Sequence, residues 1–189
     1  LTSLEVLDIF RKKTAPAFEV ALRLGAYLGG AGEDIHEILG KYSESLGIAY
    51  QIRDDLEDFD GERDSNDLED LRPSLVLAIA YKRAPKGDEK ELISSLYNGE
   101  ISYREVSKDI KKILYDQGAI KKTEELLEAY KEDAIRNLRF LSNPTLKGLL
   151  RRVVGKIFGE HFIEGYCSEF EARNAAGSSP GTKATVRSN

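Results

Sequence analysis

Nine apolar residues, Ile35, Ile38, Leu39, Tyr42, Leu46, Ala49, Ile52, Leu56 and Phe59, follow an i, i+3, i+4, i+7 pattern. That spacing keeps one face of a helix apolar from Asp34 to Phe59, over roughly seven turns. A helix this long and one-sided needs other elements to cover it. No segment alternates with period two for long enough to make a strand. The chain is therefore read as all-α with a single core, and with no internal repeat of fixed period it is not a solenoid.

The covering elements follow from the same pattern. Thr2 and Glu5 have capping-box spacing ahead of Leu4, Leu7 and Phe10, which predicts a first helix. A second is predicted to start after Pro16, carrying Phe18, Leu22, Leu24 and Ala26, and to stop at the glycines from Gly29 to Gly32. Beyond Pro73, Leu75 to Tyr81 is apolar all round and reads as a short buried helix. Asp88 to Tyr97, Ser102 to Gln117 and Gly118 to Leu141 form three more, with Ser102 and Glu105 as a second capping box. Asn143-Pro144 starts a last helix expected to reach Glu171. One helical domain over residues 1–172 is expected, with a disordered Gly-, Ser-, Ala- and Thr-rich tail over 173–189.

Composition narrows the function classes. With 41% hydrophobic and 32% charged residues among 189, the chain supports a packed core and a solvated surface. No run is long enough for a transmembrane helix, and the N-terminus has no signal-peptide pattern. The single cysteine, Cys167, excludes an internal disulfide and a multi-cysteine zinc site, and a cytoplasmic setting is expected. His36 and His161 have no ligand-spaced partners. A net charge of −5 with no basic arm argues against nucleic acid as a partner. The chain begins at Leu1 and contains no methionine, so an upstream portion is expected.

The acidity is local. Residues 54–70 hold ten acids and one base, Arg63, for a net of −9, so the whole-chain −5 leaves +4 for the other 172 residues. At the head of this stretch stands Gln51-Ile52-Arg53-Asp54-Asp55-Leu56-Glu57-Asp58. Asp54 and Asp58 lie one turn apart, Gln51 precedes them on the same face, and Asp55 is a quarter-turn round. Like charges at this spacing repel and oppose the macrodipole at a helix C-terminus. A divalent cation reverses that argument, since Mg2+ takes hard oxygens from one or two carboxylates together with substrate phosphates. The same acids also suit a solvated helix end running into an acidic linker. An EF-hand calcium loop with Gly61 at its sixth position would need an acid where Leu56 stands.

Lys13-Thr14 precedes Pro16 at the expected junction of the first two helices. A lysine and a hydroxyl near a helix N-terminus suit an anion. By themselves, Arg11-Lys12-Lys13 equally describe the basic end of a helix. Paired with the carboxylates, they match what a diphosphate substrate requires.

Lys13-Thr14-Ala15, Leu24-Gly25-Ala26 and the run from Gly47 through Ala49-Tyr50-Gln51 to Asp54-Asp55-Leu56-Glu57-Asp58 together resemble the C-terminal half of trans-type polyprenyl diphosphate synthases. This is the farnesyl and geranylgeranyl diphosphate synthase group, and the resemblance spans roughly residues 1–170. It implies an isoprenoid-synthase fold of antiparallel helices around a central cavity, here without its N-terminal helices, and a homodimer. It implies head-to-tail condensation of an allylic diphosphate with isopentenyl diphosphate through a carbocation, assisted by three Mg2+ ions. On these residues it implies that Asp54, Asp55 and Asp58 serve the metal and that Lys13 holds the allylic diphosphate. Thr14 and Gln51 would offer oxygen dipoles to the developing cation.

The family usually has lysines after this motif; here Arg72 is assigned the diphosphate contact, with Arg63 a poorer candidate. The family's first aspartate-rich motif lies upstream of Lys13 and has no counterpart in this sequence. The chain is accordingly expected to be an incomplete portion, inactive alone. A non-catalytic subunit that tunes an active partner is the alternative, and a terpenoid cyclase is disfavoured by the Lys13-Thr14 pair.

Overall fold

The structure, a computed structural model, describes residues 2–60 and 73–159. Within them the chain is helical, with no strand. Seven α-helices run in the order α1 (Ser3–Leu28), α2 (Glu33–Asp60), α3 (Leu75–Arg83), α4 (Asp88–Tyr97), α5 (Tyr103–Asp116), α6 (Ala119–Asn137) and α7 (Pro144–Phe158). A 3-10 turn, Leu138–Phe140, follows α6. The all-α expectation holds, and both capping boxes form, Thr2 with Glu5 and Ser102 with Glu105. Asn143 caps α7 by accepting from the Leu146 amide at 3.0 Å, with Pro144 opening the helix.

Two expectations need correction. Pro16 does not divide the N-terminal region: α1 runs through it as one helix of 26 residues. Proline costs a helix one hydrogen bond and a clash with the carbonyl four residues earlier. Here both Pro16 and Lys12 are exposed, so the freed carbonyl can be hydrated. Lys13-Thr14 therefore lies mid-helix, where the backbone amides are already bonded and no N-terminal anion site exists. The last helix, expected to reach Glu171, ends at Phe158, because Gly159 turns into the left-handed region at φ +71° and its amide bonds the Gly155 carbonyl. Arg63, Arg72, His161, Cys167 and the tail 173–189 lie outside the described residues.

A turn over residues 29–32 returns α2 against α1 as an antiparallel hairpin. The two backbones are closest at Gly47 and Ala15: a Cβ on Gly47 would sit 2.6 Å from the Ala15 Cα, so only glycine fits there. Two apolar clusters flank this crossing. Leu39, Tyr42 and Leu46 from the first half of α2 pack with Ala134, Leu138, Leu150 and Val154. Ile48, Ile52 and Phe59 from the second half pack with Val6 and Phe10 of α1, all of α3 from Leu75 to Ala80, and parts of α4 and α5.

Candidate functional site

The expected motif occupies the last two turns of α2. At 100° per residue, Gly47, Gln51, Asp54 and Asp58 fall within an arc of about 60°, and Ile48, Ile52, Asp55 and Phe59 within a neighbouring arc of similar width. Burial separates the two arcs. Ile48, Ile52, Asp55 and Phe59 are all buried, whereas Asp54 and Asp58 are partly exposed. Gln51 is buried on α2. The first arc meets α1 where Gly47 crosses Ala15, which sets Thr14, half-buried, and Lys13, exposed, beside that crossing.

Asp55 departs from the expected carboxylate cluster. Its Oδ2 accepts from the amides of Leu75 at 2.7 Å and Val76 at 3.0 Å, both at the start of α3. Ser74 completes the same helix end: its Oγ accepts from the Leu77 amide at 3.1 Å and its carbonyl from Ala78 at 3.1 Å. The Ala78 bond is the first of the helix's own; the amides of Leu75, Val76 and Leu77, which the helix cannot satisfy from within, all have side-chain acceptors. Burial pushes the Asp55 carboxyl up to about 7, against the lowering effect of hydrogen bonds from Val76, Ser74 and Leu75, and Asp58 raises it further. The hydroxyl of Tyr97 approaches Ser74 from the other side, 3.4 Å from its amide. Burial raises the Tyr97 hydroxyl too, with Asp55 a smaller contributor.

Arg53 faces the opposite way. Its guanidinium pairs with Asp54 at 3.1 Å and lies 3.2 Å from Glu57. It donates to the Ile157 carbonyl and stacks 4.7 Å from the Tyr50 ring and 5.8 Å from Phe158. The end of α2 is thereby pinned to α3 on one side and to the end of α7 on the other. Sequence reasoning missed Ser74, Tyr97 and Arg53. Ser74 had a signal, a serine just before an apolar run; Tyr97 and the Arg53–Ile157 contact are long-range and had none.

Among the described residues no group of three or more His, Cys, Asp or Glu side chains is arranged to hold a metal, and no helix is long and apolar enough to cross a membrane. The donor set left by Asp55 is a carboxylate pair, Asp54 and Asp58. It does not make an all-protein cage; it fits an ion that completes its shell with water and ligand phosphates.

This all-helical arrangement is shared with solved prenyl synthases. A geranylgeranyl pyrophosphate synthase from Corynebacterium glutamicum, complexed with isoprenyl diphosphate and magnesium, superposes with a TM-score of 0.75 at 22% identity, over 85% of this chain and 47% of that one. A polyprenyl synthase from Roseobacter denitrificans gives 0.72 at 25% identity, over 83% and 52%. The family described as polyprenyl synthetase matches residues 2–114, more than half of the chain, and the chain belongs to that family. Among curated relatives, a geranylfarnesyl diphosphate synthase from Aeropyrum pernix is 31% identical over 136 residues, covering 69% of this chain and 41% of that protein. A geranylgeranyl pyrophosphate synthase from Geoglobus acetivorans is 30% identical over 151 residues, covering 77% and 45%. The chain thus spans less than half the length of these curated relatives.

Proposed function

We propose that α1 and α2 supply the second metal motif of a trans-type polyprenyl diphosphate synthase, which condenses an allylic diphosphate head-to-tail with isopentenyl diphosphate. The observation that carries this reading is the partly exposed Asp54–Asp58 pair, set one turn apart beside Gln51 on the arc that crosses α1 next to Lys13-Thr14. Asp54 and Asp58 would hold Mg2+, which when bound stabilises the charge of a departing diphosphate. Lys13 contributes a positive charge on an exposed stem, suited to an incoming diphosphate. Thr14 and Gln51 present side-chain oxygens toward positive charge developing on the allyl group. Arg72 is assigned to the diphosphate as well. Three metal ions, a homodimer and a cytoplasmic setting come with the family likeness.

The test is chain elongation with Mg2+, isopentenyl diphosphate and a short allylic diphosphate. A protein carrying this segment within a domain of the relatives' full length is expected to make product, and Asp54→Ala to abolish it. Equal elongation by both would refute the assignment. The 189-residue chain alone is expected to make none, and abundant product from it would overturn the view that its site is incomplete.

A further inference from the structure

Three acids in one DDxxD run invite a single role, but the structure gives them two. Asp55 stands on the core stripe with Ile48, Ile52 and Phe59, where an apolar residue would otherwise be placed, and it is only 6% exposed. Its Oδ2 bridges two adjacent amides of α3, at 2.7 and 3.0 Å. The sequence between α2 and α3, residues 61–72, carries five acids against two bases, Arg63 and Arg72. Asp55 supplies a fixed point on the far side of that stretch, twenty residues on. Asp54 and Asp58, on the neighbouring arc, do not take part in this cap.

We propose that Asp55 is a positioning residue: its carboxylate docks the N-terminus of α3 onto α2, and it leaves Asp54 and Asp58 alone as the carboxylates that face a diphosphate-bound cation. This rests on the functional reading above for its metal half only. Asparagine keeps an oxygen that accepts from both amides, whereas alanine removes the acceptor and leaves buried donors unsatisfied.

The experiment measures amide hydrogen exchange at Leu75 and Val76 in the full chain, together with binding of Mg2+ plus inorganic pyrophosphate. Asp55→Asn is expected to keep the protection of both amides and to bind within about threefold of the unsubstituted chain. Asp55→Ala is expected to exchange at these two amides about tenfold faster or more. Asp54→Asn should leave their protection intact and lose the binding. Loss of binding in Asp55→Asn with protection intact would make Asp55 a ligand and overturn the proposal, as would undiminished protection in Asp55→Ala. Should Asp55→Ala fail to fold, Asp54→Asn and Asp55→Asn, each alone, decide between the two outcomes. If the unsubstituted segment binds no Mg2+–pyrophosphate even within a domain of the relatives' full length, the functional reading is what fails, and exchange in the Asp55 variants still accepts or rejects the cap.

Discussion

The two halves of α2 are held by different means. The first half is anchored mainly by volume: Leu39, Tyr42 and Leu46 fill a cluster with α6 and α7, and two hydroxyls add a bond each, Tyr42 donating to the Leu150 carbonyl at 2.9 Å and Ser45 to the Asp133 carboxylate at 2.7 Å. The second half also has an apolar stripe, but interrupts it with Asp55 and surrounds it with directed contacts to α3 and α7. Apolar packing tolerates small shifts, while hydrogen bonds weaken steeply with angle and distance. The half that carries Asp54 and Asp58 is the half in which a buried carboxylate and a guanidinium tie the helix end to its neighbours.

Substitutions can break this contrast. The largest effect is expected from Asp54→Ala in a protein of the relatives' full length: turnover falls by at least about a hundredfold while the thermal midpoint barely moves. Steady-state kinetics beside a melting curve would check it, and a collapse of the fold instead would erase the distinction between the halves. Leu46→Ala in the first half should do the reverse, lowering stability by about 2–5 kcal/mol in urea unfolding with the Asp54–Asp58 end unchanged.

At the border between the halves, Gly47→Ala puts a methyl against the Ala15 backbone, within 2.7 Å of its nitrogen, and should cost about 1–3 kcal/mol by separating α1 from α2. Tyr42→Phe loses a single buried hydrogen bond, about 1 kcal/mol in the same assay. The smallest change is expected at the start of α1, far from either cluster's centre. There Thr2→Ala removes the exposed capping box and should lower stability by about 0.5–1 kcal/mol, read as a small drop in the urea midpoint.

Local chemistry made most of the helices readable before any coordinates. Capping residues at Thr2, Ser102 and Asn143 and the long period in α2 mark ends and faces by interactions within four residues. Pro16 misled because the penalty of an internal proline depends on whether the orphaned carbonyl meets water, which is a tertiary fact. The end of α7 depended on the φ of Gly159, and a glycine inside a periodic run gives no sign of which region it will adopt. The site was legible in part. The spacing of Asp54 and Asp58 showed a shared face, but the charge of Asp55 drew attention away from its register with Ile48, Ile52 and Phe59. That register was present in the sequence. The partner it required, the start of α3, lies twenty residues away across an acidic stretch, and no local pattern pairs the two.

The uncovered side of α1 bears on how such a chain behaves in a tube. Val20, Leu24, Tyr27 and Leu28 stand 56–77% exposed at helical spacing on one flank of the hairpin. Purified at high concentration with that flank open to water, the polypeptide should stick to itself, bind hydrophobic dyes and sediment in a concentration-dependent way. Detergent or an added apolar helix should reverse this. Four side chains on α1, away from Asp54 and Asp58, would then contribute to its colloidal behaviour.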